Sequence, residues 1–118
     1  MIKDNTILDL LESGMRAEGL RQQAIANNIA NMNTPGYRRS DINFEEILNK
    51  AIDKQGPIDP DTLNADIIQP GNAPINEFGN DVSLDDEVGE MIKNSTLHRT
   101  YMLLIKKKYQ EMDSAIRI

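Results

Sequence analysis

The run LDDEVGEMIKNSTLHRTYMLLIKKKYQEMDSAI, residues 84–116, sets the architecture of the chain. Leu84, Val88, Met91, Ser95, His98, Met102, Ile105, Tyr109, Met112 and Ile116 succeed one another at alternating spacings of four and three. A 4-3 stripe sustained over more than four heptads predicts one long helix with a coiled-coil packing face. Ser83 followed by Asp86 resembles a capping box, with Asp in place of the usual Glu. Asp85, Asp86, Glu87 and Glu90 stand near the start, and Lys106, Lys107, Lys108 and Arg117 near the end. Both placements favour the helix dipole. At 1.5 Å per residue the helix is about 50 Å long.

A helix of that length needs a second element to cover it. Residues 6–32 supply the natural partner, because Leu8, Leu11, Met15, Ile25, Ile29 and Met32 recur at helical spacings. Glu18 and Gln22 interrupt this stripe. Gly14 and Gly19 each cost about 1 kcal/mol relative to Ala, so the helix is weak alone and needs packing to persist. The expected fold is mainly α: two long terminal helices forming an antiparallel coiled-coil-like hairpin, joined by a short irregular middle. The divisions are an N-terminal helix at 1–34, an acidic middle at 35–81 and a C-terminal heptad helix at 82–118, together one domain. Only 4% of residues are aromatic, a thin supply for an independent core, so leftover apolar surface is expected to meet other chains.

The middle holds all five prolines, at positions 35, 57, 60, 70 and 74. Gly56-Pro57, Pro70-Gly71 and Asn72-Ala73-Pro74 mark turns. Phe44, Ile47, Leu48, Ala51 and Ile52 share one face of a short helix at 44–52, with Asn43 as its cap. Residues 64–69 read as a short strand.

Charge is segregated. Residues 40–90 carry a net −11, residues 1–39 a net +1 and residues 91–118 a net +4. An acidic middle of this size argues against nucleic acid as a partner and suits opposite-sign surfaces meeting in an assembly. The chain has no cysteine, which excludes disulfides and thiolate metal sites. Its N-terminus lacks the basic and apolar regions of a cleavable signal, and no window approaches a membrane span. No reactive constellation points to an enzyme. The one histidine, His98, lies on the heptad stripe. Asp59-Pro60-Asp61 and the acids of 81–90 lack the spacing of a calcium loop. No catalytic residue, cofactor or metal is expected.

The segment Ala26-Asn27-Asn28-Ile29-Ala30-Asn31-Met32-Asn33-Thr34-Pro35-Gly36-Tyr37 closes the first helix. Asn tolerates the left-handed conformation that ends helices, and Pro35 stops the helix. Thr34-Pro35-Gly36-Tyr37 suits a type II turn. The amides of Asn27, Asn28, Asn31 and Asn33 have donors and acceptors for neighbouring backbones, within the chain or between subunits. Physically, an Asn-rich cap and turn accounts for the segment as well as an assembly site does.

The same run resembles the N-terminal signature of the flagellar axial proteins, the rod and hook family: N-N-I-A-N, one variable residue, then N-T-P-G-Y. Asp41-Ile42-x-Phe44, Leu48, Gly79-Asn80-Asp81-Val82-x-Leu84-Asp85-x-Glu87, Lys93-Asn94 and Lys107-Lys108 resemble the short proximal rod members in particular. The family often has a tyrosine-rich tract where this chain has Leu97-His98-Arg99-Thr100-Tyr101.

The resemblance implies a structural rod subunit that polymerises through its terminal helices around an export channel. It also implies export through the flagellar apparatus without a cleaved signal, and a place in the basal body within the periplasmic envelope. Implied partners are other rod proteins, the inner-membrane ring, the export-gate adaptor and further copies of the chain. The competing readings are a small helical coiled-coil adaptor and another short rod protein at a neighbouring axial level.

Overall fold

The computed structural model describes residues 4–54 and 67–117. Its elements are α1 (Asp4–Ala30), β1 (Asp41–Ile42), α2 (Phe44–Lys54), β2 (Ile67–Ile68) and α3 (Leu84–Ile116). The two long helices lie side by side and antiparallel: Glu12 of α1 reaches Tyr109 of α3, Glu18 reaches Asn94, and Asn28 reaches Glu87. The molecule is a rod of 65 × 26 × 20 Å. The mainly helical hairpin expected from the sequence is the fold observed.

Local signals place the helix ends. Ser83 caps α3 and its hydroxyl accepts the Asp86 amide at 3.4 Å. Asn43 caps α2 through the Glu46 amide at 3.3 Å. α1 stops two residues short of the predicted 32, because Asn31 and Met32 already belong to the turn. Of the predicted strand at 64–69, Ile67–Ile68 is β2, and residues 64–66 lie outside the described residues, as does the Gly56-Pro57 turn. β2 pairs antiparallel with β1, with Asp41 opposite Ile68 and Ile42 opposite Ile67.

The apolar core is small and sits on one side of α1. Ala17, Ile42, Ile47 and Ala51 are buried together, and Leu10, Leu20 and Phe44 pack against them. Ala17 and Ala51 leave room for α2 to approach α1 closely. Ile47 is fully buried, worth roughly 1.5–3 kcal/mol. The Arg21 guanidinium covers the Phe44 ring at 5.4 Å.

The other side of α1 meets α3 through a largely polar seam. Glu87 and Asn94 of α3 are buried there, facing buried Asn28 and Glu18 of α1. Tyr101 lies one heptad beyond Asn94 and rests on Gly14, where an added Cβ would sit 2.5 Å from the ring. Gly14 is therefore a seat for Tyr101 as well as a weakness in the helix. Burial first, and the charge of Glu18 second, raise the Tyr101 phenol above its ordinary pKa, with Arg21 opposing.

The residues at 87, 94 and 101 occupy the inward face of α3, so the apolar stripe lies beside that face. Leu84, Val88, Met91, Met102, Tyr109 and Ile116 are exposed. Ser95 is exposed too, while His98, Ile105 and Met112 are half-buried.

A candidate assembly site at the closed end of the hairpin

The chain leaving α1 folds into a tight turn. The Thr34 amide donates to Asn31 O at 3.0 Å and the Tyr37 amide to Thr34 O at 3.2 Å. Gly36 has φ +75°, the left-handed conformation required at the third position of a type II turn. The Asn31 side chain donates to Asn27 O at 2.8 Å and accepts from Thr34 Oγ1 at 3.1 Å.

A second loop, just ahead of α3, locks onto this turn. Phe78 O accepts the Gly36 amide at 2.8 Å. The Asn80 side chain, 2% exposed, donates to Asn31 O and Thr34 O, both at 2.9 Å. Asn76 shapes this loop by accepting the amides of Phe78 at 2.9 Å and Asn80 at 3.0 Å. Gly79, at φ +76°, lets the loop backbone lie against Gly36.

Asn28 of α1 ties the chain that leaves the turn to α3. Its Nδ2 donates to Ser40 O at 2.8 Å and to Glu87 Oε2 at 3.2 Å. Its Oδ1 accepts the Ser40 amide at 2.8 Å and the Tyr37 hydroxyl at 3.0 Å. Both donors and both acceptor positions of the amide are used, and only a carboxamide offers that set.

Glu87 is completed by Arg39, whose Nε lies 2.8 Å from Oε1. Burial opposes the charge on Arg39, but the Glu87 hydrogen bond and the carboxylates of Glu87, Asp41 and Asp81 outweigh it, and its pKa is raised. Further along the seam Glu18 is held in a matching way. Asn94 of the opposite helix donates to its Oε2 at 2.9 Å, and Arg21 reaches its Oε1 at 2.9 Å. Glu87 and Glu18 thus each have one arginine and one asparagine, the asparagine coming from the opposite helix.

The structure brings Asn28, Asn31, Thr34, Gly36 and Tyr37 of the signature into one hydrogen-bonded knot. Ala30, Asn33, Pro35 and the Asn27 side chain point outward, and Ile29 is half-buried. Hydrophobic periodicity passed over Glu18, Glu87 and Asn94, because polar residues on a helix look like surface. The spacing of seven from 87 through 94 to 101 was the signal available.

At the other end of the hairpin the seam opens. Met15, Met102, Ile105 and Tyr109 line an apolar groove of about 580 Å³. Ile92, Leu103 and Leu104 add further exposed apolar surface to α3. Among the described residues no helix is long and apolar enough to cross a membrane.

The family described as "Flagella basal body rod protein" matches residues 8–38, the second half of which is the knot-forming segment. The flagellar basal body rod protein FlgB of Bacillus subtilis (strain 168) is 24% identical over 115 residues, covering 90% of this chain and 89% of that protein. FlgB of Buchnera aphidicola is 29% identical, covering 93% of each. The chain is similar to the flagellar basal-body rod proteins over most of its length. The rod protein FlgG of Caulobacter vibrioides is 46% identical over 44 residues, which are 37% of this chain and 17% of FlgG. Similarity to FlgB thus spans most of both chains, whereas the FlgG matches cover 37% and 54% of this chain and only 17% and 24% of FlgG.

Proposed function

We propose that this chain is a structural subunit of the proximal flagellar rod, working by polymerisation through its two terminal helices. The observation that carries this reading is the outward apolar stripe of α3. Leu84, Val88, Met91, Met102 and Tyr109 are exposed along one helix, far more apolar surface than its own chain covers. A hairpin held in register by buried hydrogen bonds can present that stripe as a rigid ridge to neighbouring subunits. The full-length similarity to FlgB supports the same reading.

In this proposal other rod proteins pack against the helices, and the inner-membrane ring and export-gate adaptor meet the inner end of the rod. The chain reaches its place in the periplasmic part of the basal body through the flagellar export apparatus. Asn27 and Asn33 project from the signature toward a neighbouring subunit.

The test is mass spectrometry of detergent-extracted basal bodies from cells expressing a tagged chain. Co-purification is expected. A chain that stays wholly cytoplasmic as a discrete dimer in flagellated cells defeats the proposal in favour of a coiled-coil adaptor.

A further inference from the structure

A groove of about 650 Å³ runs beside the first turns of α3, between that helix and the segment 72–74. Asp41, Asp81, Asp85, Asp86, Glu87 and Glu90 line it, with Arg39 the cation among its lining residues. Six carboxylates against one guanidinium leave a formal charge of −5. The partial positive charge of a helix N-terminus, about half a unit, is too small to balance this. Asp81 is 3% exposed; its Oδ1 accepts the Arg39 amide, while its Oδ2 is buried with no hydrogen-bond partner. A buried acceptor of this kind calls for a donor. No group of three or more acidic or histidine side chains among the described residues is placed to hold a metal ion. An ammonium or guanidinium carried on a polypeptide supplies both the positive charge and the donor that this groove calls for.

The same chain carries that complement at its other end. Residues 91–118 have a net +4, and Lys106 and Lys107 are exposed on α3. They follow Asp86 by 20 residues on one continuous helix, so about 30 Å separates them from their own groove. A helix cannot close that gap on itself, but a second copy displaced along the rod axis can.

We propose that the acidic groove receives the Lys106-Lys107 face of α3 from a second copy of the chain. This inference rests on the rod-subunit reading and specifies its longitudinal contact. The two surfaces differ, so the contact is heterologous and propagates head to tail instead of closing into a dimer.

Charge exchange in the full-length chain tests it by sedimentation at low salt. One variant carries Asp85→Lys and Asp86→Lys, the other Lys106→Glu and Lys107→Glu; all four side chains are exposed. Each variant alone should self-associate at least about tenfold more weakly than the wild type, since like charges then face each other. An equimolar mixture should recover association, because each variant supplies what the other lost. Circular dichroism checks that both remain helical, and the neutral pairs Asp85→Asn with Asp86→Asn and Lys106→Gln with Lys107→Gln replace any that does not. A wild type that stays monomeric at millimolar concentration, single variants that associate normally, or a mixture no stronger than its components overturns the proposal. Presence of the wild type in basal bodies is scored separately. Absence there defeats the rod reading and leaves the pairing result to stand on its own.

Discussion

The two ends of the hairpin solve opposite problems. At the closed end Asn28, Glu87 and Arg39 are joined by hydrogen bonds, and Asn80 donates to the Asn31 and Thr34 carbonyls, all inside a single chain. At the open end Met102, Tyr109 and Ile116 remain uncovered. A polar knot is directional and fixes the register of α1 against α3. An apolar stripe is adaptable and suits surfaces that must meet several neighbours. The chain thus separates what specifies its own shape from what joins it to others.

Disturbing Asn28 should produce the largest effect. Asn28→Asp removes both donors and sets a second carboxylate against buried Glu87. Unfolding by denaturant should show a loss of about 3–5 kcal/mol, in the range for an uncompensated buried charge. Normal stability would mean that the knot does not hold the hairpin.

Met102→Asp probes the opposite end. Met102 is 52% exposed, so the isolated chain should lose no more than about 0.5 kcal/mol. Assembly should suffer by several kcal/mol, because the charge enters a packed seam between subunits. Motility should be abolished with export intact. Swimming at the normal rate would remove this face from the assembly.

The glycines of α1 sharpen the comparison further. Nothing lies within 4 Å of a Cβ built at Gly19, so Gly19→Ala should stabilise by about 1 kcal/mol. Gly14→Ala gains the same propensity but drives the Tyr101 ring from its seat, an overpacking cost of about 1–3 kcal/mol. Thermal melts should show the two substitutions moving in opposite directions.

The smallest effect concerns pH. The folded state raises the Tyr101 pKa, so it holds the phenol proton more tightly than the unfolded chain does. That contribution is intact below the unfolded value of about 10 and is lost as pH rises through the folded value. Melting temperatures of the wild type and Tyr101→Phe, compared from neutral pH upward, should converge or cross only above that point.

How far the sequence disclosed this depended on the kind of force involved. α3 was legible to the residue, because Ser83, the acids after it and the 4-3 stripe all point the same way. α2 was legible from Phe44, Ile47 and Ala51. The type II turn followed from Pro35 and Gly36. β1 was not foreseen, since two residues carry little periodicity and their pairing with Ile67 and Ile68 is nonlocal. The inward face of α3 was also hidden. Apolar periodicity marks where water is excluded by oily side chains, and here Glu87 and Asn94 exclude it by pairing with Arg39, Asn28 and Glu18.

The polar seam also shapes how the molecule responds to heat. Exposing apolar surface on unfolding raises the heat capacity by about 0.45 cal/K/mol per Å², while exposing polar surface lowers it by about 0.26. A core as small as Ala17, Ile42, Ile47 and Ala51, set beside a seam of carboxylates and carboxamides, brings these two contributions close together. The heat-capacity change on unfolding is then small for the chain's length. The curve of stability against temperature is correspondingly shallow, so the hairpin keeps a nearly constant, modest resistance to unfolding across the temperatures at which a cell grows.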